Sequence, residues 1–368
     1  MTSSLDRRRR IVVRAFVAGL LLLPFLAEGA ARLRAYLRYG AVADIYDLYR
    51  EDPATGLLCP IPGLSVDIGG RARIDLSSQG FRGPDVADPK PAGTVRLAFL
   101  GGSTTFCAQA SSNATTWPAR LVDRLALARP DVRFDALNAG VTGYSIEDST
   151  LAIDVRIDRY DPDVVVIQHV AKDLAADART LAAAAGLLDE RETGWLEERS
   201  LLWRLVKKNL WYRRSLARGA SPEGKLDYDP TTVSGRFRER LTALVRRARQ
   251  EADVVALCTF PILLRPGQPA ARQVAHAAQA FTFTPFLTPE ALIAGYAEYN
   301  RVVREVAAAE GAVLVDDAER IPDDRQHFHD TVHLTEAGYE IQAARVADAL
   351  LAAPPFVALL DRAAEVRR

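Results

Sequence analysis

Hydrophobic residues fall along the chain in two alternating rhythms. Short unbroken apolar runs, rich in β-branched residues, occur at Val95 to Leu100, Val132 to Leu137, Val164 to Ile167, Val254 to Phe260 and Ala312 to Val315. Runs of this length without polar alternation predict strands buried on both faces, as in a parallel sheet. Between them the spacing becomes helical, with Phe237, Leu241, Leu244, Val245 and Ala248 sharing one face. Ser145, with Asp148 three residues on, predicts a capped helix running through Tyr160. Further helices are expected over Pro289 to Glu310 and Thr335 to about Leu351. Strands alternating with helices predict an α/β fold: a three-layer α/β/α sandwich on a central five-stranded parallel sheet, with loops gathered at its carboxyl edge.

Four segments lie outside that rhythm. Arg7 to Arg10 precede an apolar run from Ile11 to Ala27 that only Arg14 interrupts, and Arg32, Arg34 and Arg38 follow it. A cleaved export signal and an uncleaved transmembrane anchor both fit; the poor small-residue site at Ala27 to Ala31 favours the anchor over residues 1–40. The excess of Arg before the run places the N-terminus in the cytoplasm and the rest at the periplasmic or cell-surface side. Residues 41–94 hold six Pro and seven Gly and predict an irregular lead-in. Residues 177–233, with Trp195, Trp203 and Trp211 and a basic amphipathic stretch from Leu201 to Lys208, read as a helical insertion. A lid, a membrane-surface helix and a plain excursion remain open for it. The main domain then spans 95–352, and 353–368 is a C-terminal tail.

Charge sharpens this division. The 47 basic and 47 acidic residues cancel, but the first 40 residues carry a surplus of basic groups and the remainder an acidic one. That balance argues against nucleic acid as a partner, because binding phosphates needs a cationic surplus. Three cysteines, Cys59, Cys107 and Cys258, do not suggest a disulfide framework.

Two loops carry candidate chemistry. Gly101-Gly102-Ser103 follows the first strand of the sheet, where two glycines allow a tight turn that exposes the Ser103 hydroxyl. Asp330-Thr331-Val332-His333 precedes the last helix of the main domain. A carboxylate three residues before a histidine can accept from Nδ1 and leave Nε2 as a general base. His327, His329, Asp330 and His333 also form a cluster of possible metal ligands, and spacing alone does not separate the two readings.

Taken in order, the Ser103 turn, Asn138-Ala139-Gly140 after the second strand, Lys172-Asp173 after the third and Asp330-x-x-His333 resemble the SGNH/GDSL hydrolase superfamily. Ser78-Gln79-Gly80-Phe81-Arg82-Gly83-Pro84 resembles the lead-in of its membrane-anchored bacterial members. The resemblance implies a flavodoxin-like fold and a serine esterase or acyl transferase needing no cofactor or metal. Ser103 would be the nucleophile, His333 the base and Asp330 its orienting partner, with Ser103 and Gly140 N–H groups as oxyanion donors. The third donor would be the residue at 172, where the family's Asn is replaced by Lys172. Export implies an O-acyl ester, such as an O-acetyl carbohydrate, as substrate. The replacement at 172 keeps open a catalytically weak or inactive member that binds glycan as a scaffold, and the histidine cluster keeps open a metal-dependent hydrolase. Arg82, before Gly-Pro, is expected to be solvated rather than over the site, and His169 is expected to pack as a strand-end histidine.

Overall fold

The structure is a computed structural model that describes residues 2–39, 45–68, 72–188 and 200–367. Trp195 and the remainder of 189–199, in the expected insertion, lie outside the described residues. The chain divides into two compact units, Met1–Ala43 with Asp189–Arg214, and Asp44–Leu188 with Ser215–Arg368.

In the first unit, helix α1 (Thr2–Tyr39) contains a 31-residue stretch, Arg7–Leu37, that is long and apolar enough to cross a membrane. Within the same unit the Glu28 carboxylate accepts from the N–H groups of Leu201 and Leu202, both at 2.9 Å, and from Ser200 Oγ at 2.8 Å. These N–H groups open a later helix and have no acceptor within it, so the carboxylate from α1 supplies one.

The second unit begins with two short antiparallel hairpins. β1 (Tyr49–Glu51) pairs with β2 (Leu58–Pro60), and β3 (Ser65–Asp67) with β4 (Arg73–Asp75). The five-stranded parallel sheet follows: β5 (Thr94–Gly101), β6 (Arg133–Asn138), β7 (Val164–Gln168), β8 (Val254–Cys258) and β9 (Val313–Val315), in spatial order β6-β5-β7-β8-β9. Alternate strand residues feed opposite layers. Ala98, Leu100, Val165 and Ile167 pack on the face covered by α4 (Ile146–Ala152), α5 (Ala171–Ala184), α7 (Thr231–Ala248) and α9 (Pro289–Glu310). Leu97, Phe99, Val164 and Val166 pack on the face covered by α3 (Trp117–Ala128), α10 (Glu336–Ala352) and α11 (Pro354–Arg367). Two short helices, α2 (Ser103–Phe106) and α8 (Ala270–His276), sit in loops, and α6 (Leu201–Ala220) begins in the first unit.

Four expectations change. The tail at 353–368 is helix α11. Ala353, before Pro354, is extended, and the axis turns by 81° from α10. Phe356, Leu359, Leu360, Ala363 and Ala364 then repeat at helical spacing and are buried on the sheet. The insertion is shorter than 177–233, because α5 continues to Ala184 and α7 starts at Thr231. Asp177 therefore belongs to the crossover helix, where it accepts from Arg240 Nη2 and Tyr299 Oη at 2.7 Å each. The helix from Ser145 does reach Tyr160 and its capping box forms, but it widens to a π-turn at Ile153–Ile157 and tightens at Asp158–Tyr160. Finally, residues from Asp44 into the lead-in belong to the same compact unit as the sheet. Arg96, fully buried on β5, explains part of that: it donates to Asp135, Tyr160 O and Ala87 O, so strand, helix end and lead-in share one satisfied cation.

Phe356 is fully buried, so Phe356→Ala should lower unfolding free energy by about 3–5 kcal/mol. Urea unfolding checks this; a change within 0.5 kcal/mol, roughly the range for surface positions, would show that α11 is dispensable.

Candidate active site

Ser103 stands at the first position of α2, directly after β5. The turn is possible because of what surrounds it. A Cβ at Gly101 would lie 2.1 Å from Thr105 Oγ1 and 2.7 Å from Gln168 O, and one at Gly140 would lie 2.7 Å from Phe106 N. No side chain fits at either position without moving backbone. At the other end of α2, Cys107 adopts a left-handed conformation with φ of 59°.

That four-residue helix closes one bond of its own, from the Cys107 N–H to Ser103 O at 2.9 Å, and leaves the Thr105 and Phe106 carbonyls without intrahelical donors. Arg82 and Asn138 supply them: Arg82 Nη1 donates to Phe106 O at 2.7 Å and to Cys107 O, and its Nε donates to Asn113 Oδ1 at 3.1 Å. Asn138 Nδ2 donates to Thr105 O at 3.0 Å. Arg82 is thus 4% exposed and lies against the Phe106 ring, behind the Ser103 turn. The expectation of a solvated Arg82 fails because orphaned carbonyls gather where it enters, and they offset the cost of burying its charge.

His333 reaches the turn from a loop closed by the Phe328–Leu334 bridge and by His329 N–H donating to His333 O at 2.8 Å. Ser103 Oγ lies 2.8 Å from His333 Nε2, and His333 Nδ1 lies 2.8 Å from Asp330 Oδ2. An ionised carboxylate only accepts, so Nδ1 carries the proton, Nε2 accepts, and the Ser103 hydroxyl donates. Burial raises the Asp330 pKa. Hydrogen bonds from His333 Nδ1 and from the His333 and Val332 N–H groups, with attraction to the imidazole, outweigh it and hold the carboxyl below the usual range. Asp330 therefore stays ionised through neutral pH and fixes the ring.

Other expected residues separate from this arrangement. Gly140 is buried and its N–H donates to Asn138 Oδ1 at 3.1 Å, so that donor is already engaged. Lys172 is exposed, lines the cavity beside Ser103 and makes no hydrogen bond or ion pair among the described residues. Its neighbour Asp173 is 1% exposed and accepts from Ile146 N–H at 3.2 Å, holding the start of α4. Burial raises its pKa to about 7. His169 packs as expected, with Nε2 2.8 Å from Ser149 Oγ; burial pushes its pKa down to about 3, so it is neutral. The metal reading loses its geometry. His327 Nδ1 pairs with Asp324 Oδ1 at 2.8 Å, and among the described residues no three His, Cys, Asp or Glu side chains converge on a metal position.

Ser103 and His333 open into a cavity of about 460 Å³. Its walls combine the motif loops, Lys172 at the start of α5 among them, with segments that carry no motif: Phe260 after β8, Gln279 to Thr284 and the start of α9. Gln168, 2% exposed at the end of β7, also lines it, and neither atom of its side-chain amide has a partner. Periodicity could have placed these residues on α5 and α9, but only the crossover of those helices brings them together.

A profile of the GDSL-like lipase/acylhydrolase family matches residues 99–341, from within β5 to within α10. The chain belongs to that family. The matched span takes in Ser103, Asp330 and His333. No curated protein sequence matches the chain. Among solved structures, this family member is similar to an acetyl xylan esterase from Geobacillus stearothermophilus, with 17% identity, TM-score 0.41, and 69% of this chain and 94% of that chain covered. It is also similar to LAE5, an alpha/beta hydrolase enzyme from the metagenome of Lake Arreo, Spain, with 16% identity, TM-score 0.44 and coverages of 69% and 94%.

Arg82 acts on the turn rather than on substrate, which sets a distinctive expectation. Arg82→Ala should lower kcat for a p-nitrophenyl ester by about 10- to 100-fold with KM nearly held, and Arg82→Lys should recover part of it. An Arg82→Ala chain that folds by circular dichroism and keeps full kcat would remove Arg82 from this role.

Proposed function

We propose that the protein is a membrane-tethered serine esterase or acyl transferase that acts outside the cytoplasm on an O-acyl ester, with an acylated carbohydrate as the substrate class. The observation that carries this reading is the 2.8 Å contact of Ser103 Oγ with His333 Nε2, aligned with the 2.8 Å contact of His333 Nδ1 with Asp330. Ser103 Oγ attacks the ester carbonyl carbon as His333 Nε2 takes the hydroxyl proton. The tetrahedral intermediate then collapses: the bond from carbon to the leaving oxygen breaks, and His333 returns the proton to that oxygen, releasing the alcohol. Water or a hydroxyl acceptor gives its proton to His333 and attacks the acyl-Ser103 ester, and the returned proton restores the Ser103 hydroxyl. Asp330 stays ionised throughout and stabilises the transient imidazolium.

The developing oxyanion falls to the Ser103 N–H, at the first turn of α2, and to the Lys172 ammonium from the rim. Gly140 N–H joins them only by releasing Asn138. This uneven set of donors favours a second reading, a poorly active member that binds acylated glycan, and kinetics separate the two.

Tethering is supported by the apolar stretch Arg7–Leu37 and by Glu28. A cleaved signal would take with it the carboxylate that accepts from Leu201, Leu202 and Ser200. On this reading the N-terminal segment is retained, with the N-terminus cytoplasmic and the catalytic unit on the periplasmic or outer side.

Ser103→Ala and His333→Ala should each lower kcat by at least about 10⁴-fold, and the double variant should be no worse than either, because the two act as one unit. Full esterase activity in a folded Ser103→Ala chain would overturn the serine mechanism, and wild-type turnover no faster than Ser103→Ala would favour the binding reading. In fractionated cells the intact chain, with its N-terminal residues present by mass analysis, should remain with membranes in high salt and leave only in detergent. A shortened chain in the soluble fraction would contradict retention.

A further inference from the structure

Helix α6 is turned the wrong way round for a helix in water. Its residues 201–214 share one compact unit with α1, and there the side that carries Lys207 and Trp211 is half-buried. The opposite side is apolar and bare. Trp203, Leu205, Val206, Leu210 and Tyr212 each expose between 36% and 49% of their surface. Successive helical residues advance by about 100°, so these five, with Leu202 among them, share one half of the helix. That face runs along about 21 Å of axis. A helix of a soluble protein buries such a face, and a large one left exposed marks a binding surface.

Charge identifies what the surface binds. No acidic residue occurs in α6, while Arg204, Lys207, Lys208, Arg213, Arg214 and Arg218 are basic. Arg204 and Lys208 border the apolar face on one side and Arg214 on the other, all three exposed. Arg213 lies within the face, and its stem is long enough to carry the guanidinium to the edge. Two such faces brought together would oppose like charges, which disfavours a second copy as the occupant. Apolar and aromatic residues bordered by cations suit a helix lying flat in the boundary between acyl chains and anionic headgroups.

Position agrees with charge. The apolar run of α1 from Ile11 to Ala27 spans about 26 Å, close to the ~30 Å of a hydrocarbon core. Glu28 follows directly, and an ionised carboxylate stays out of hydrocarbon. Because Glu28 accepts from Ser200 Oγ and from the Leu201 and Leu202 N–H groups, α6 starts where α1 leaves the apolar layer.

We infer that residues 201–214 are a membrane-surface helix. They lie in the interface of the bilayer that α1 crosses, with the apolar face toward the acyl chains and Arg204, Lys208 and Arg214 against acidic phospholipid headgroups. This inference rests on the tethered reading above. A single span is free to rotate about its axis, and this second contact removes that freedom.

The test uses the full chain reconstituted into phosphatidylcholine vesicles with and without phosphatidylglycerol. Cys107 and Cys258 are buried, so a Cys59→Ser background confines a nitroxide label to an introduced cysteine. Labels at Val206→Cys and Leu210→Cys should collide with the water-soluble nickel chelate severalfold less, and with oxygen more, than a label at the exposed Glu223→Cys. Their depth should be about 5–10 Å below the headgroup boundary. Arg204→Gln with Arg214→Gln should lower the ratio of lipid-seated to free label by roughly 25-fold when phosphatidylglycerol is present, about fivefold for each cation, and change it little in phosphatidylcholine alone. Chelate collision equal to that at Glu223→Cys, in a chain that stays in the vesicles, would overturn the inference and leave the tether intact. Low collision with both chelate and oxygen would show the face covered by protein and would also overturn it. An equal loss in both kinds of vesicle would overturn the assignment to acidic headgroups. A chain that washes out of the vesicles in high salt would instead remove the tethered reading on which the inference stands.

Discussion

A helix of four residues cannot hold its own ends, and Ser103 sits on one. The carbonyls of Thr105, Phe106 and Cys107 emerge into the interior, where an unpaired carbonyl costs about 1–3 kcal/mol. Arg82 donates to Phe106 O and Cys107 O and Asn138 to Thr105 O, while the Ala110 N–H also reaches Cys107 O. The rest of the site follows from that requirement. Arg82 comes from the lead-in, so the lead-in must pack with the sheet. Asn138 ends β6, so β6 must be the strand next to β5. Asn138 also accepts from the Gly140 N–H, which ties the loop after β6 to the same arrangement.

The fold was largely legible in the order of apolar runs, because a buried parallel strand leaves a continuous hydrophobic signature and a helix a periodic one. Asp330-x-x-His333 was legible for a local reason: a carboxylate three residues before the ring closes its contact within one loop. Ser103 was legible through its glycines. What failed was of another kind. Arg82 reads as a surface residue, since its partners are backbone carbonyls 24 and 25 positions away and carry no sequence identity. The helical spacing of Phe356, Leu359, Leu360 and Ala363 was present in the supposed tail, and proximity to the terminus hid it. The far wall of the cavity was illegible because Phe260, Gln279 to Thr284, Leu292 and Tyr296 are ordinary positions of separate segments, distinguished only by lining the same space.

In the proposed mechanism, two halves of the chemistry are built to different standards. The half that moves the proton is tightly determined, with Ser103, His333 and Asp330 in line and the carboxyl held ionised by four hydrogen-bond contacts from Val332 and His333. The half that receives negative charge is looser. Lys172 stands on a flexible stem in solvent where the family places an amide, and Asp173, its neighbour, is committed to holding α4.

The central claim is that His333 activates Ser103 as a nucleophile, and it is tested most directly by covalent titration. A fluorophosphonate added to the full chain should label one residue per molecule, identified as Ser103 by peptide mass analysis, and His333→Ala should abolish labelling in a folded protein. Label on any other residue, or no label on a chain that hydrolyses the ester, would contradict the account.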